Sequence, residues 1–195
     1  MGVSLFLDAG SQAEYGLVNG KIKEDTPCRP NTPYGKSKLE VFHQISSMSL
    51  EEGTRYLHPR FFSIYGPGDS ESTMIMSTIR KMKDNESCDF TEAKQDWNYL
   101  FVQDLVANLF KLAFTTNDAG IFNFGSDTTK PLKSFIIEMK KVLGSNSALN
   151  FGVVPYPPSG CVSIVPDITR LKNAISYVEE YSFASGIIAT ANSMK

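Results

Sequence analysis

A tyrosine and a lysine, Tyr34 and Lys38, stand one helical turn apart in the sequence. The residues before them predict the start of a helix, because Thr32 can cap the free N–H groups and Pro33 suits the first helical position. Residues at i and i+4 share a helix face. A lysine ammonium beside a tyrosine hydroxyl stabilises the phenolate, so the pair could exchange protons near neutral pH. The same spacing also occurs in surface pairs that do no chemistry.

The helix that carries this pair continues as an apolar stripe. Its members are Val41, Phe42, Ile45 and Met48. The stripe predicts that Tyr34 and Lys38 lie on the inward face of the helix, partly buried. Gly53 is the predicted stop of the helix.

Two segments that flank the helix are predicted to be strands. Residues 3–7 have the nearly unbroken apolar pattern of a buried strand in a parallel sheet, and residues 55–62 are predicted to form a second buried strand after the helix. A strand, helix, strand unit favours a right-handed parallel crossover. Each run ends in a loop, at 8–16 and 63–69, and ligands of open α/β sheets bind at that carboxyl edge.

The remainder of the chain is built from shorter predicted elements. The helices are expected at 74–82, 105–114, 131–142, 168–177 and 183–194, and the strands at 88–91, 97–102 and 121–124. The segment 153–160 is expected to be a loop, because its prolines cannot donate to a sheet ladder.

Composition limits the possible classes of partner and compartment. The chain of 195 residues has a net charge of −2, with scattered Lys and Arg, so we expect no nucleic-acid or membrane partner. Its cysteines, Cys28, Cys88 and Cys161, are too far apart for a zinc site or a disulfide framework, which favours a cytoplasmic location and no bound metal. The apolar run at residues 3–7 is too short for a membrane span.

Several motifs occur in a specific order along the chain. They are 11–16 (SQAEYG), 24–27 (EDTP), 34–38 (YGKSK), 60–68 (RFFSIYGPG), 97–104 (WNYLFVQD), 166–172 (PDITRLK) and 183–187 (FASGI). In this order the sequence resembles the extended short-chain dehydrogenase/reductases, the family of NAD-dependent nucleotide-sugar epimerases, dehydratases and reductases. The resemblance runs the length of the chain.

The resemblance implies catalytic roles for three residues. Tyr34 would be the general acid/base that exchanges a proton with a sugar hydroxyl during hydride exchange with the nicotinamide of NAD or NADP. Lys38 would stabilise the Tyr34 phenolate and bind the nicotinamide ribose. Ser11 would donate to the reacting sugar oxygen. A loop serine that only satisfies a turn is the alternative for Ser11.

Other matched positions imply contacts to cofactor and substrate. Phe62 and Ser63 would join Tyr34 and Lys38 at the cofactor, and the expected contacts to the nucleotide-sugar substrate are Gln12, Ser63, Tyr65, Trp97 and Asn98. Core packing is the alternative for the aromatic residues. Gln12 and Ala13 replace the Asp-Glu pair of the family's dehydratases, which favours an epimerase or a 4-ketoreductase. Trp97 occupies a position where several members have an arginine. His43 and His58 are interpreted as structural.

The glycine-rich turn that holds the NAD(P) pyrophosphate in this family has no counterpart in the sequence. The resemblance therefore implies an α/β fold that corresponds to the C-terminal half of a doubly wound, Rossmann-like parallel sheet plus a small mixed substrate-binding lobe. Residues 1–70 would belong to the cofactor domain and 71–195 mostly to the lobe, with some elements returning to the sheet.

This interpretation has consequences for binding and association. We expect the chain alone to bind NAD or NADP weakly or not at all. We also expect a homo-oligomer, or a partner that supplies the N-terminal half, whether that half was cleaved, encoded separately or lost. The alternative is a non-catalytic remnant or an interaction module that needs another polypeptide to complete its fold.

Overall fold

The computed structural model describes residues 3–48 and 54–194. Its helices are α1 (Pro33–Ser47), α2 (Met74–Lys83), α3 (Val102–Phe114), α4 (Leu132–Val142), α5 (Thr169–Ala174) and α6 (Phe183–Ser193). Its strands are β1 (Leu5–Leu7), β2 (Gly10–Ser11), β3 (Lys21–Ile22), β4 (Arg55–Phe61), β5 (Ile64–Tyr65), β6 (Cys88–Phe90), β7 (Asp96–Asn98), β8 (Leu100–Phe101), β9 (Gly120–Phe124), β10 (Thr129–Pro131), β11 (Leu149–Phe151) and β12 (Val165–Pro166).

The central sheet is parallel and has β4 at its centre. Strands β1 and β2 pair with β4 in the same register, Leu5 opposite Arg55 and Gly10 opposite Arg60, and therefore act as one interrupted strand along one edge of β4. Strand β9 pairs with the other edge, with Pro59 opposite Phe122. Helix α1 joins β2 to β4, so the predicted strand, helix, strand unit with parallel strands is confirmed. The architecture is a Rossmann-like α/β sheet.

Pro59 accounts for the interruption between β1 and β2. The ladder breaks at Asp8 and Ala9, which lie between the two paired segments. A proline in a central strand has no N–H to donate to its neighbour. The Asp8 N–H still donates to the Leu57 carbonyl at 3.2 Å, while the Asp8 side chain and the Ala9 carbonyl contact other groups in the candidate site.

Helix α1 begins as its sequence predicts. Thr32 is the N-cap and its side chain accepts the Gly35 N–H at 3.0 Å, while Pro33 is the first helical residue. The helix ends at Ser47, before the predicted stop, and Gly53 lies outside the described residues.

The predicted inward face of α1 is partly wrong. Gly35 is buried and Phe42 and Ile45 are half-buried, but Val41 and Met48 are exposed. Tyr34 is 58% exposed. Gly35 has no side chain, so α1 can pack closely on the Ala13 carbonyl at this residue. With Gly35 facing inward, the helix is rotated about its axis so that Tyr34 faces outward.

Small two-stranded sheets surround the central one. Strand β6 pairs with β11 and β3 with β12 in parallel, β5 with β8 in parallel, and β7 with β10 antiparallel. The sequence did not indicate β2, β3, β5, β10, β11 and β12, because two or three residues are too few to show a periodicity. The predicted strand at 97–102 is wrong in its bounds, because β7 and β8 are separate and Val102 already begins α3.

The core consists of three apolar clusters. The largest packs α2, α4 and α6 together through residues that include Ile79, Met82, Ile136, Met139 and Ile187. The second covers one face of the central sheet, and the third contains Tyr15, Ile22, Phe62 and Ile164. Within the described ranges, no helix is both long and apolar enough to cross a membrane.

Candidate functional site

Ser11 closes the carboxyl end of the interrupted strand and starts a short 3-10 helix at Gln12–Glu14. Its Oγ accepts the Ala13 N–H at 3.2 Å. Its own N–H donates to Glu14 Oε1 at 2.7 Å, which completes a capping box. Ser11 is 8% exposed. These two hydrogen bonds fix its position at the edge of the sheet.

Glu14 is fully buried and belongs to an ion network. Its Oε2 accepts Arg60 Nε at 2.7 Å and faces His58 Nε2 at 3.0 Å. The other nitrogen of His58, Nδ1, lies 2.9 Å from Asp8 Oδ1. Both ring nitrogens of His58 therefore face carboxylate oxygens, and both contacts are hydrogen bonds when the ring carries two protons. Phe42 of α1 covers the His58 ring with a centroid distance of 4.5 Å.

The network decides the ionisation of Glu14. Burial by itself would raise the pKa of Glu14, but the hydrogen bonds from His58 and the Ser11 N–H and the charge of Arg60 outweigh burial and hold that pKa below its ordinary value. Glu14 is therefore a carboxylate at neutral pH. The structural role predicted for His58 agrees with this placement, although its carboxylate partners were missed. His43 is exposed on α1.

A close backbone contact packs the start of α1 on the 3-10 helix that follows Ser11. A Cβ added to Gly35 would overlap the Ala13 carbonyl, so the first turn of α1 packs directly on the 3-10 helix that Ser11 caps. Glycine is the residue that allows such an approach. Tyr34, which precedes Gly35, consequently lies beside the carboxyl end of β2.

Lys38 connects α1 to the same edge. Its Nζ donates to the Ala9 carbonyl at 2.9 Å, in the break between β1 and β2. The same Nζ lies 5.8 Å from the centroid of the Tyr34 ring. Ser11, Tyr34 and Lys38, which the sequence predicted to act together, thus lie around one edge of the sheet.

Tyr15 shows how a buried tyrosine of this region differs from Tyr34. Its hydroxyl donates to Asn123 Oδ1 at 2.7 Å, and burial raises the pKa of Tyr15 to about 12, although Arg60 acts to lower it. A tyrosine in this environment stays protonated. Tyr34, in contrast, is exposed to solvent.

Phe62 and Ser63 follow the carboxyl end of β4. Ser11 pairs with Phe61, so the segment lies at the same edge as the catalytic candidates. Phe62 is 2% exposed and packs in the core cluster with Tyr15, whereas Ser63 is half-buried. Core packing, the alternative noted for Phe62, therefore describes its side chain.

A cleft of about 350 Å³ opens next to this edge. Gln12 and Thr32 line one side and Trp97 the other, so two of the predicted substrate contacts face the same space. Gln95 and Tyr156 also line it, and the Tyr156 hydroxyl donates to Gln95 Oε1 at 3.1 Å. The sequence missed Gln95 and Tyr156, and the proline-rich loop around Tyr156 was the only signal that could have pointed to one of them.

Tyr65 and Asn98 do not join this cleft. Tyr65 is 2% exposed, and its hydroxyl donates to the Phe183 carbonyl at 3.3 Å inside the largest core cluster. Asn98 is fully buried; its Nδ2 donates to the carbonyls of Ser126 and Thr128, and its Oδ1 accepts the Ser126 N–H. The polar atoms of both residues are used in holding the fold together.

The residues present fit only one end of a dinucleotide. Tyr34, Lys38 and Ser63 offer a hydroxyl, an ammonium and a second hydroxyl at the sheet edge, which suit a ribose and its base. The loop after β5 contains Gly66 and Gly68, yet the sequence has no glycine triad that opens a helix. The chain's own residues therefore do not form the usual pyrophosphate cradle.

Relatives of this chain are nucleotide-sugar enzymes. It is 25% identical to UDP-glucose 4-epimerase of Lactobacillus helveticus over 97% of this chain and 63% of that protein. It is 30% identical to CDP-abequose synthase of Salmonella muenchen over 58% of this chain and 40% of that protein. The chain thus spans less than two thirds of the length of these relatives.

The fold is also similar to that of a solved nucleotide-sugar enzyme. The structure of UDP-glucuronic acid 4-epimerase from Bacillus cereus in complex with NAD superposes with a TM-score of 0.85 at 21% identity, and the match covers 97% of this chain and 60% of that one. The sequence model of the NAD dependent epimerase/dehydratase family matches residues 1–125. This stretch contains the whole central sheet and the residues Ser11, Tyr34 and Lys38. The chain therefore belongs to the NAD dependent epimerase/dehydratase family.

Proposed function

We propose that Tyr34, Lys38 and Ser11 are the proton-transfer residues of an NAD(P)-dependent nucleotide-sugar epimerase or 4-ketoreductase. The observation that supports the proposal most directly is the close approach of Gly35 to the Ala13 carbonyl, because it packs the helical turn that contains Tyr34 on the 3-10 helix that Ser11 caps. Lys38, bound to the Ala9 carbonyl, supports it from the same edge.

Each residue has a role that suits its position. Tyr34 exchanges a proton with the sugar hydroxyl, because its ring is exposed and a substrate can approach it. The Lys38 ammonium stabilises the phenolate that this exchange creates. Ser11 Oγ, at the end of β2, orients the reacting oxygen by a hydrogen bond.

Lys38, Tyr34 and Ser63 would hold the nicotinamide end of NAD(P), and Phe62 would keep the strand end rigid beneath it. The bound cofactor would supply hydride chemistry: removal and return of a hydride at the sugar carbon in an epimerase, or donation of one from the reduced form to a 4-keto carbon in a reductase. The glycines of this sequence do not form a pyrophosphate cradle, so this proposal covers the nicotinamide end of the cofactor alone. Residues 1–70 are then the catalytic part of a cofactor domain, and 71–195 contribute mostly to a substrate lobe, with β9 returning to the sheet.

The first two residues of the 3-10 helix favour one class of reaction over another. Gln12 and Ala13 provide neither an acid nor a base, so loss of water from the sugar has no proton donor at this place. Gln12 instead lines the cleft, where an amide can bind a sugar hydroxyl. An epimerase or a 4-ketoreductase needs only the hydride and the proton that Tyr34 exchanges.

Substitution of Tyr34 by phenylalanine tests the proposal. The assay uses the enzyme that contains these residues together with a glycine-rich cofactor loop, with UDP-sugars and 4-keto sugar nucleotides as substrates. Tyr34→Phe should lower turnover by about a hundredfold or more. Lys38→Met should move the pH-rate profile upward and weaken cofactor binding, and Ser37→Ala, on the exposed side of α1, should change neither. Normal turnover of Tyr34→Phe would remove Tyr34 from the mechanism.

A second candidate function is that of an interaction module without catalysis. Strand β1 pairs with β4 on one edge only among the described residues, and Val3, Phe6 and Val41 are exposed nearby. We propose that this edge pairs with a second copy of the chain or with a polypeptide that supplies further strands. Absence of turnover in a stable complex of this kind would favour the module.

We also propose a cytoplasmic location. Cys28, Cys88 and Cys161 are free thiols, which suits a reducing compartment.

A further inference from the structure

The backbone segment from Asp8 to Ser11 contacts two residues of the proposed site. Lys38 Nζ donates to the Ala9 carbonyl at 2.9 Å, and the Ser11 N–H donates to Glu14 Oε1 at 2.7 Å. The distance between the Lys38 ammonium and the Ser11 hydroxyl therefore depends on the shape of this segment. A displacement of about 1 Å between groups that act in one step can lower a rate by about a hundredfold.

The ladder of the central sheet is interrupted in the middle of this segment. Leu5–Leu7 and Gly10–Ser11 pair with β4, and the pairing breaks at Asp8 and Ala9. The Asp8 N–H still donates to the Leu57 carbonyl at 3.2 Å. The direction in which the Ala9 carbonyl points therefore depends on side-chain contacts as well as on the ladder.

The imidazole of His58 contacts this segment at Asp8 and Gly10 and reaches Ser11 through Glu14. His58 Nδ1 lies 2.9 Å from Asp8 Oδ1. On the other side of the ring, His58 Nε2 lies 3.0 Å from Glu14 Oε2, and the second oxygen of that carboxylate accepts the Ser11 N–H. A Cβ added to Gly10 would lie 2.6 Å from Nε2, so the Gly10 backbone packs directly on the ring. One side chain thus connects both ends of the segment.

The ring of His58 is itself fixed in the structure. His58 is fully buried in β4, and Phe42 covers the imidazole with a centroid distance of 4.5 Å. Phe42 follows Lys38 by one turn of α1, so one face of the helix contacts both the ring and the segment. The Tyr56 hydroxyl donates to Asp8 Oδ1 at 2.7 Å and supports the Asp8 side of the ring.

We propose that His58 is a positioning residue for the proton-transfer site and that its two ring nitrogens have separate roles. Nδ1 holds Asp8, which fixes the acceptor of Lys38. Nε2 holds Glu14, which fixes the Ser11 N–H. The proposal rests on the proposed function, because it names the group that keeps two of the proton-transfer residues at a fixed distance. The contacts form without cofactor or substrate, so they can be tested on the chain alone.

Two amide substitutions of His58 separate these roles. Asparagine can offer an N–H donor near the position of Nδ1, and glutamine can offer one near the position of Nε2. Each variant therefore keeps one contact of the ring and loses the other. We expect His58→Asn to loosen Ser11 and His58→Gln to loosen Lys38. A residue that only fills space would give the same result in both variants.

Two measurements at low micromolar concentration follow the two ends of the segment. Hydrogen exchange at the Ser11 amide, read by fragmentation mass spectrometry relative to the amides of β9, should accelerate about tenfold or more in His58→Asn and less than about threefold in His58→Gln. Reductive methylation of Lys38 relative to the exposed Lys36 should accelerate about threefold or more in His58→Gln and less than about twofold in His58→Asn. The control Ile136→Val, a mild truncation in the largest core cluster, should leave both relative rates within about twofold.

Any pattern other than this crossed one in the folded variants overturns the proposal. Equal changes at both ends would mean that His58 only fills space, and an end that never changes would be held without His58. If the His58 variants do not fold, Asp8→Ala removes the Nδ1 contact at a half-buried side chain. It should accelerate the methylation of Lys38 and leave the exchange of Ser11 unchanged, and any other result contradicts the proposal. Loss of turnover in Tyr34→Phe bears on the catalytic proposal alone, so the two failures are distinguishable.

Discussion

Glu14 and Ser11 are joined by a hydrogen bond in which Glu14 Oε1 accepts the Ser11 backbone N–H at 2.7 Å. Glu14 is itself held by Arg60 and His58 of β4. The backbone of the proposed catalytic serine is thus fixed by an ion network inside the sheet, and the stability of this network can be measured.

The first prediction concerns Glu14→Gln. The amide cannot pair with both Arg60 and His58, which leaves a buried cation without its counterion, so we expect a loss of about 3–5 kcal/mol in the free energy of unfolding. Urea unfolding at pH 7 measures the loss. The control Glu86→Gln changes an exposed carboxylate and should stay within about 0.5 kcal/mol of the parent. Equal stabilities of the two variants would contradict the assigned role of the network.

The same network predicts how stability depends on pH. Because the pKa of folded Glu14 is held below its ordinary value of 4.5, its contribution is present above that pH and is lost as the pH falls through the lowered folded value. Urea midpoints recorded from neutral pH down to about pH 3 should therefore decline below about pH 4.5. In Glu14→Gln the decline should be shallower over that window. A variant that loses stability as steeply as the parent would assign the acid sensitivity to other carboxylates.

The second prediction concerns Gly35→Ala. The added methyl group overlaps the Ala13 carbonyl, which is backbone and cannot rotate away, so α1 must move from the 3-10 helix. Such overpacking costs about 1–3 kcal/mol, even though alanine is the better helix former. Thermal unfolding measures the loss, with Ser37→Ala in the same helix as the control. A variant as stable as the parent would show that the approach of α1 to Ala13 is not tight.

The third prediction is that the chain alone binds NADH weakly. Pyrophosphate contacts supply much of the anchoring of a dinucleotide, and the sequence lacks the glycine-rich turn that makes them. Titration followed by NADH fluorescence, beside a full-length relative, measures the affinity. A micromolar Kd, which corresponds to about 8 kcal/mol of binding free energy, would contradict the prediction.

The fourth prediction is self-association through the face that contains β1 and α1. Val3 is 60% exposed and Val41 42%, beside a strand with only one paired edge among the described residues, and such edges template pairing with another chain. Light scattering at about 50 μM should therefore show dimers or larger species. Val41→Glu should shift the distribution toward monomer.

Helix α3 supplies the control for that experiment. Val106 is similarly exposed, at 45%, but lies on another helix, so Val106→Glu should leave the distribution unchanged. A monodisperse monomer with a cooperative melt would show that the chain closes its own core.

Local signals in the sequence determined much of the framework. Thr32 and Pro33 define the start of α1 because a cap and a first-turn proline act within a few residues. The segment that forms β4 was also predicted as a strand, between the helix and the loop that starts at Ser63. The spacing of Tyr34 and Lys38 placed them on one side of α1 for the same local reason.

The tertiary structure alone decided how the site is held. His58 has carboxylate partners at Asp8 and Glu14, which are far away in sequence and meet it only because β1 and β2 pair with β4. The rotation of α1, which exposes Tyr34, depends on the contact of Gly35 with Ala13. The tertiary structure also separates two of the predicted substrate contacts. Trp97 lines the cleft, whereas Asn98, its neighbour in β7, is buried and hydrogen-bonds the backbone of Ser126. Pairing between distant segments leaves no periodicity in the sequence, so only the folded chain shows it.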